Sequence, residues 1–257
     1  MALGLFVIGD EILSGKRQDR HFAKVLELLR ARGIELGWAQ FVGDDEQAIA
    51  EAIRTVVARG DVLLSCGGIG ATPDDCTRQA AAIAFDVPLQ RHREAERMLI
   101  EHYGGAATPN RLLMTDFPSG AGLIPNPVNQ VPGFSFGHCY FVPGFPEMAW
   151  PMLEWVLDTR LQHLHCAKPD VEYRLRVVGS SGEGDLLDLM RDTLARYPGL
   201  KLSSLPSRGV AGQPRHIEFG FKGQRERAAE AYRHFAKGLL QFPDLTIAVL
   251  SPPDEVC

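Results

Sequence analysis

The chain has 257 residues, of which 45% are hydrophobic, so it can form one large or two small domains with a substantial core. Its formal net charge of -5 argues against general binding to nucleic acids, which requires a basic surface. The five scattered cysteines form no CxxC pair and the histidines show no zinc-binding spacing, a pattern typical of a cytoplasmic protein without a disulfide framework. No apolar run reaches the roughly 18 residues of a membrane span, so we expect no membrane partner.

In chain order, strand and helix patterns alternate three times. The apolar start, LGLFVIG, predicts a buried first strand, and the helical pattern that follows it ends at Gly33. The run IELGWAQFV predicts a second strand before a second helix, and DVLLSC predicts a third strand before a helix that reaches Phe85. Parallel strands require crossover connections, which these helices supply, so the pattern predicts a mainly parallel sheet covered by helices.

The rest of the chain predicts a second, smaller domain. A helix (REAERMLIEHY), two short strands (GLIPNP and HCYFVP) and a helix that contains Pro151 come first, and the pattern changes near Lys168. A β-α-β-β-α order follows, with Leu187, Met190 and Leu194 on one side of its first helix. We therefore predict an α/β domain over residues 1–167 and a small α+β domain over residues 168–257.

Polar or glycine-rich turns follow each of the first three predicted strands: GDEILSG, GDD and GGIGATPDD. Ligands of parallel sheets collect beyond the carboxyl ends of the strands, so these turns form a candidate site. Gly67, Gly68 and Gly70 could bring backbone N–H groups close to a phosphate, although glycines at such a turn can also serve the chain reversal alone.

The acids in these turns have two interpretations. Thr72, Pro73 and Asp75 match an N-cap, a first helical residue and a capping-box acid, so TPDD could simply begin a helix. Asp44 with Gln47 also resembles a capping box. Alternatively, carboxylates beside a phosphate site could hold a hard divalent cation, which binds oxygens from protein and phosphate together.

Asp10 and Glu11 follow the first predicted strand. They have no capping role if the chain continues as a loop through Ser14 and Gly15. The sequence therefore leaves a ligand role open for both acids.

Together, the segments GDEILSG, VGDD, GGIGATPDDCT, IPNPVNQVPGF and VPGFPEM resemble, in this order, the molybdopterin-binding domain of molybdenum-cofactor biosynthesis proteins and of the competence/damage-inducible protein A (CinA) family. The resemblance is closest to the amino-terminal region of CinA. It continues through GEGDLLDLM and YPGLKLSSLPSRG and so covers nearly the whole chain. The sequence has no counterpart of the carboxy-terminal deamidase domain of full-length CinA proteins, so deamidase activity is not expected.

The resemblance implies a three-layer α/β/α domain, a homo-oligomer (a dimer or trimer), a nucleotide or pterin ligand, and a divalent metal such as Mg²⁺. The activity it implies is metal-dependent hydrolysis of a nucleoside diphosphate derivative such as ADP-ribose or FAD. The alternatives are a molybdopterin-binding transferase of molybdenum-cofactor biosynthesis and a non-catalytic nucleotide- or pterin-binding protein.

The resemblance also assigns site residues. We expect Asp75 and Asp44 to be catalytic, with Glu11 orienting water, and a metal to be bound by Asp75, Asp44 and Asp10. The residues expected around the phosphate or nucleotide are Gly67, Gly68, Gly70, Thr72, Ser14, Gly15, Asn126, Pro143, Gly144 and Glu147.

The sequence departs from the family pattern at several positions. Arg20 and His21 stand where the family has a Thr-Asn pair, Ala71 stands where a proline is usual, and Asn129 replaces a usual glycine. The VPGFPEM turn is one residue shorter than the common form. Because the first loop and this turn border the predicted pocket, we expect these changes to affect the choice of substrate and the activity.

Overall fold

The computed structural model describes residues 1–209 and 214–253. It divides into two compact units, Met1–Ala167 (unit 1) and Lys168–Cys257 (unit 2). Each unit has its own hydrophobic core. Within the described ranges, no helix is both long and apolar enough to cross a membrane.

The strands of unit 1 form one large sheet and one small pair. They are β1 (Leu3–Ile8), β2 (Trp38–Val42), β3 (Val62–Cys66), β4 (Leu89–Arg91), β5 (Asp116–Pro118), β6 (Gly122–Ile124), β7 (Gly133–Phe136) and β8 (Cys139–Val142). The six-stranded sheet has the order β2-β1-β3-β8-β7-β6, and β4 pairs with β5 separately. Strands β2, β1, β3 and β8 run parallel to one another, whereas β7 pairs antiparallel with both β8 and β6, so the prediction of a mainly parallel sheet is confirmed.

Helices cover both faces of the large sheet. They are α1 (Asp10–Leu13), α2 (His21–Arg30), α3 (Glu46–Arg59), α4 (Thr77–Ala84), α5 (Arg93–Tyr103), α6 (Pro109–Leu112) and α7 (Pro146–Thr159). One core joins buried residues of α2 and α7 to one sheet face, and a second core joins those of α3, α4 and α5 to the other. The expected three-layer α/β/α domain is therefore present. Pro151 lies inside α7, beyond its first turn.

Unit 2 contains β9 (Val171–Val178), α8 (Leu187–Arg196), β10 (Lys201–Ser207), β11 (His216–Gly223), α9 (Arg225–Leu239) and β12 (Thr246–Ser251). Its four-stranded antiparallel sheet has the order β10-β11-β9-β12. This is the split β-α-β arrangement of ferredoxin-like domains, and it has one strand, β12, more than the sequence pattern predicts.

The face predicted for α8 is right for Met190, which packs against the core of unit 2, and wrong for Leu187 and Leu194. Leu187 and Leu194 are 40% and 41% exposed, whereas Leu186 and Thr193 are buried. Because this segment contains several leucines, two faces of the helix are similarly hydrophobic, and the sequence alone does not distinguish them. The face next to Leu186 is the one that packs against the core. Thr193 is tolerated there because its hydroxyl donates to the Leu189 carbonyl oxygen at 2.7 Å.

Candidate functional site

The turns after the parallel strands meet at one edge of the sheet of unit 1. The backbone N–H of Gly9, after β1, donates to the carbonyl oxygen of Val42 at 3.0 Å. In the same way, the N–H of Gly67, after β3, donates to the carbonyl oxygen of Val142 in β8 at 3.0 Å. These bonds hold the ends of the four parallel strands together, as the sequence pattern predicts.

A cavity of about 180 Å³ opens at this edge, between the ends of β3 and β8. Its walls are lined by Ile69, Gly70, Asp75, Met114, Asn126, Asn129, Val131, Pro132, Pro143, Gly144, Phe145 and Met148. The walls are mostly apolar. Of these described lining residues, Asp75 alone carries an ionisable side chain.

Besides Gly68, where an added Cβ would lie 2.2 Å from Oγ1 of Thr77, the glycine-rich turn depends on glycine at two further positions. Gly67 has a φ of +113°, and a Cβ added there would lie 2.2 Å from the carbonyl oxygen of Ile8. A Cβ at Gly70 would lie 2.3 Å from Oδ2 of Asp75. The first glycine therefore lets the chain turn against β1, and the second lets the Asp75 carboxylate approach the backbone.

Two consecutive residues at the start of α4 hold this turn in place, and sequence reasoning missed both. The buried Thr77 donates its N–H to the Gly68 carbonyl oxygen at 3.0 Å and its hydroxyl to that of Gly67 at 3.1 Å. Arg78 is 3% exposed, and its Nη2 donates to the Gly70 carbonyl oxygen at 2.5 Å.

Arg78 also reaches the opposite wall of the cavity. Its Nη1 donates to the carbonyl oxygens of Leu113 and, at 3.3 Å, Asp116, on either side of the lining residue Met114. Burial lowers the pKa of Arg78, against the opposing effect of the charges on Asp116 and Asp75. One buried guanidinium thus connects two walls through backbone carbonyls.

The TPDD segment does not begin a helix, so the capping interpretation of Thr72 is wrong. Helix α4 starts five residues later, at Thr77. Asp75 instead closes a single turn, accepting hydrogen bonds at Oδ2 from the Thr72 hydroxyl and from the Thr72 N–H, the latter at 3.0 Å. The second oxygen of Asp75, Oδ1, has no partner among the described residues. Thr72 therefore positions Asp75 rather than lining the cavity itself.

Asn126 stabilises the loop that forms another wall. This 2% exposed side chain donates from Nδ2 to Oδ1 of Asn129 at 2.7 Å and to the Val131 carbonyl oxygen at 3.0 Å. Its Oδ1 accepts the N–H of Val128 at 3.0 Å. Both of its donors are used within the loop, so Asn126 shapes the wall more than it offers hydrogen bonds to a ligand.

His21, one of the departures from the family pattern, contacts the last wall. It is 5% exposed, and its Nε2 lies 3.0 Å from the carbonyl oxygen of Gly144. This geometry requires the proton on Nε2, since a carbonyl oxygen can only accept. The neighbouring Arg20 places its guanidinium carbon 5.4 Å from the ring centroid of Trp150, in α7. In the turn that follows Gly144, α7 begins at Pro146.

Asp10 and Asp44 form a second group, at the ends of β1 and β2. The N–H of Asp10 donates to Oδ2 of Asp44 at 2.8 Å, and the N–H of Asp44 donates to Oδ1 of Asp10 at 3.2 Å. Burial raises the pKa of Asp44, as do the charges of Asp10, Glu11 and Asp74, and only the Asp10 N–H opposes them. Asp45, one residue later than predicted, caps α3 by accepting the N–H of Ala48 at 2.7 Å.

The structure does not bring the predicted metal ligands together as one set. Among residues 1–209 and 214–253, no three His, Cys, Asp or Glu side chains are grouped so that they could hold an ion. The Asp10–Asp44 pair still fits a cation that also uses ligand phosphates and water, because Mg²⁺ in proteins commonly takes only one or two carboxylates.

Several other predicted residues lie outside the cavity. Asp10 and Glu11 begin the one-turn helix α1, not a loop, and Ser14 and Gly15 end it. Glu147 is exposed in the first turn of α7. None of the described contacts of these five residues reaches the cavity wall.

The cysteines of the described residues are free thiols, and Cys257 lies outside those residues. Cys66 and Cys76 flank the glycine-rich turn and are both buried. Burial raises the pKa of both thiols, that of Cys76 to about 11. Neither thiol therefore has the thiolate character of a nucleophile at neutral pH.

Comparison with known proteins gives consistent results. Residues 4–163 match the model of a family described as a probable molybdopterin binding domain. A protein of Pyrobaculum arsenaticum is 30% identical over 91% of both chains. A CinA-like protein of Anaeromyxobacter dehalogenans is 34% identical over 99% of this chain and 66% of its own length, so this chain spans slightly less than two thirds of that relative. The crystal structure of CinA from Thermoplasma acidophilum covers 61% of this chain and 96% of its own, with a TM-score of 0.56 and 29% identity.

Proposed function

The chain belongs to the family of probable molybdopterin-binding domains, and from this premise we propose that unit 1 binds a small molecule with a flat ring and a pyrophosphate group, and hydrolyses the pyrophosphate with a divalent cation. The observation that carries the proposal is the cavity at the carboxyl edge of the sheet, where a glycine-rich turn and the Asp75 carboxylate meet.

The cavity suits the ring of such a ligand. Its apolar walls provide contact area, and a small number of fixed polar groups provide orientation, which is the usual composition of a small-molecule site. Ile69 and Met148 offer aliphatic surface, and Phe145, which is 51% exposed, lies at the cavity as a side chain on which a ring could stack.

The glycine-rich turn suits a phosphate. The backbone N–H groups of Gly68, Ile69 and Gly70 have no acceptor among the described residues, although Ile69 is only 7% exposed. Consecutive free N–H groups in a turn bind anions, and buried N–H groups without an acceptor are costly. A phosphate oxygen would satisfy them.

The acids of the turns would bind the cation and take part in the hydrolysis. Asp10 and Asp44 would hold the divalent cation, which when bound neutralises charge on phosphate oxygens. Asp75, whose Oδ2 is fixed by Thr72, would use Oδ1 to hold the ligand in position at the cavity, and Glu11 would orient the attacking water beside the cation. Glu11, half-buried beside this group, would add negative charge that favours cation binding.

The test is a chromatographic assay of AMP release from ADP-ribose and FAD with Mg²⁺, Mn²⁺ or Co²⁺. We expect release by the wild type and its loss in Asp75→Asn. Asp86→Asn is the matched control, because Asp86 is exposed and has a φ of 55° that asparagine accepts readily. Full turnover by Asp75→Asn would refute the role of Asp75, and no release from the wild type with any of the metals would refute hydrolysis.

The cation site can be tested separately. Burial and the neighbouring acids raise the pKa of Asp44, and a bound cation would offset their effect. Mg²⁺ should raise the melting temperature of the wild type and have a smaller effect on Asp44→Asn, which has lost one ligand. Equal shifts in both proteins would exclude Asp44 as a ligand.

A second candidate is binding without hydrolysis, as in a molybdopterin-binding or nucleotide-binding protein. The separation of Asp75 from the Asp10–Asp44 pair favours it, because hydrolysis needs water, phosphate and cation to be held together. Tight binding of pterin or AMP without turnover would establish this alternative.

A further inference from the structure

Asn129 has a side chain whose orientation is fixed by its own loop. Its Oδ1 accepts two hydrogen bonds, from Nδ2 of Asn126 at 2.7 Å and from the N–H of Val131 at 3.1 Å. An amide turned over would place its NH₂ against these two donors, so the bonds determine which atom is oxygen. The other end of the amide, Nδ2, is therefore fixed as well.

Nδ2 of Asn129 is a hydrogen-bond donor without an acceptor among the described residues, and Asn129 lines the cavity. Asp75 lines it too and has the complementary arrangement, with Oδ2 held by Thr72 and Oδ1 unpartnered among the described residues. Two residues of this mostly apolar lining thus carry one donor and one acceptor whose orientations are fixed. Neither group needs to reorganise to bind a ligand.

We propose that Asn129 is a specificity-determining residue that selects rings with a hydrogen-bond acceptor at the edge facing Nδ2, while Asp75 selects a donor. Amide and amidine edges of fused heterocycles, such as those of adenine, pterin and flavin, carry both groups. This inference rests on the proposed function only for the location of the ring, and it requires neither hydrolysis nor a cation.

The experiment compares binding of three uncharged probes to the full chain: adenosine, pterin and indole. Adenosine and pterin offer both a ring acceptor and a donor, whereas indole offers only a donor. The variant is Asn129→Asp, because a carboxylate can keep Oδ1 in place for Asn126 and Val131 while the donor is replaced by an acceptor. Gln130→Glu is the matched control, since it adds the same charge one residue away at an exposed position outside the cavity lining.

We expect Asn129→Asp to weaken adenosine or pterin binding by about tenfold or more, because an acceptor would then face an acceptor in a desolvated site. Indole binding should change less than about threefold, and Gln130→Glu should leave all three affinities nearly unchanged. Circular dichroism and the melting temperature would show that each variant is folded.

Three results would overturn the inference. Equal weakening of indole and adenosine would mean that Asn129→Asp only disrupts the loop. Unchanged adenosine and pterin affinities would mean that Nδ2 does not contact the ring. Binding of neither adenosine nor pterin to the wild type would exclude the proposed ring edge, whereas binding without AMP release in the separate hydrolysis assay would refute only the hydrolysis.

Discussion

Arg78 offers the strongest test of how the cavity is built. The perturbation is Arg78→Met, which keeps an extended apolar stem and removes the guanidinium. Three backbone carbonyl oxygens, those of Gly70, Leu113 and Asp116, would lose their donor. A fully buried carbonyl left unsatisfied costs about 1–3 kcal/mol, and because these three bonds are only partly buried, water replaces part of what is lost. The substitution also removes a buried charge and the Nε of Arg78, which has no partner in the described structure. Both removals are favourable and offset part of this loss of stability.

The net expectation is a loss of about 2–4 kcal/mol in the free energy of unfolding. Tryptophan fluorescence during urea denaturation measures it in the intact chain, because all three tryptophans, Trp38, Trp150 and Trp155, belong to unit 1. Arg97→Met is the control, since Arg97 is exposed and makes only an i, i+4 ion pair with Glu101 that contributes about 0.3–0.5 kcal/mol.

Arg78→Lys separates charge from geometry. Lysine keeps the positive charge, but it lacks the planar guanidinium that bonds to three carbonyl oxygens. The stability of Arg78→Lys should therefore lie between those of the wild type and Arg78→Met. If Arg78→Met unfolded at the same urea concentration as Arg97→Met, the carbonyl contacts would not stabilise unit 1 and the reasoning would be wrong.

Three further predictions concern the same unit. Gly67→Ala should destabilise it by about 2 kcal/mol or more, because the added Cβ meets the Ile8 carbonyl oxygen at a φ of +113°, and an unchanged melting temperature would contradict this. Thr77→Val, which removes the hydroxyl bond to Gly67, should cost about 1–2 kcal/mol in urea denaturation, and a cost near zero would show that this bond is dispensable. Arg32 forms two bonds of 2.6 Å with Asp158 and lowers its pKa, so this pair stabilises the protein above the unfolded-state pKa of about 4 and loses its effect as pH falls through the lower folded-state pKa. Asp158→Asn should therefore reduce stability at pH 7 and match the wild type in strong acid, and a difference independent of pH would exclude the ion pair as its source.

The sequence predicts the large elements well because their signals are long. Strands β1 and β3 are buried at every position, so they appear as continuous apolar runs between turn residues. Strands β4, β5 and β7 have three or four residues each, too few for any periodicity to be detected. Strand β12 was missed for another reason: it is mostly exposed, so no alternation marks an inner face.

The TPDD segment shows why a local motif can be assigned to the wrong structure. A hydroxyl and a carboxylate three residues apart form the same hydrogen bonds in a helix start and in an isolated turn. What decides between them here lies outside the motif, since Thr77 and Arg78 bond to Gly67, Gly68 and Gly70 and so delay the helix. Sequence reasoning therefore identified Asp75 and could not identify the two residues that position it.

The departures from the family pattern have a common physical explanation in this structure. Considered one at a time, His21 and Asn129 suggest that the cavity is impaired, because each differs from the family pattern at a position beside the cavity. Yet His21 bonds to Gly144, and Asn129 bonds to both Asn126 and Val131, so each new side chain makes a contact that holds a wall of the cavity. A wall with defined hydrogen bonds loses less entropy on ligand binding than a flexible one. His21 and Asn129 therefore maintain the cavity in this chain, and their presence is no sign that the cavity has been lost.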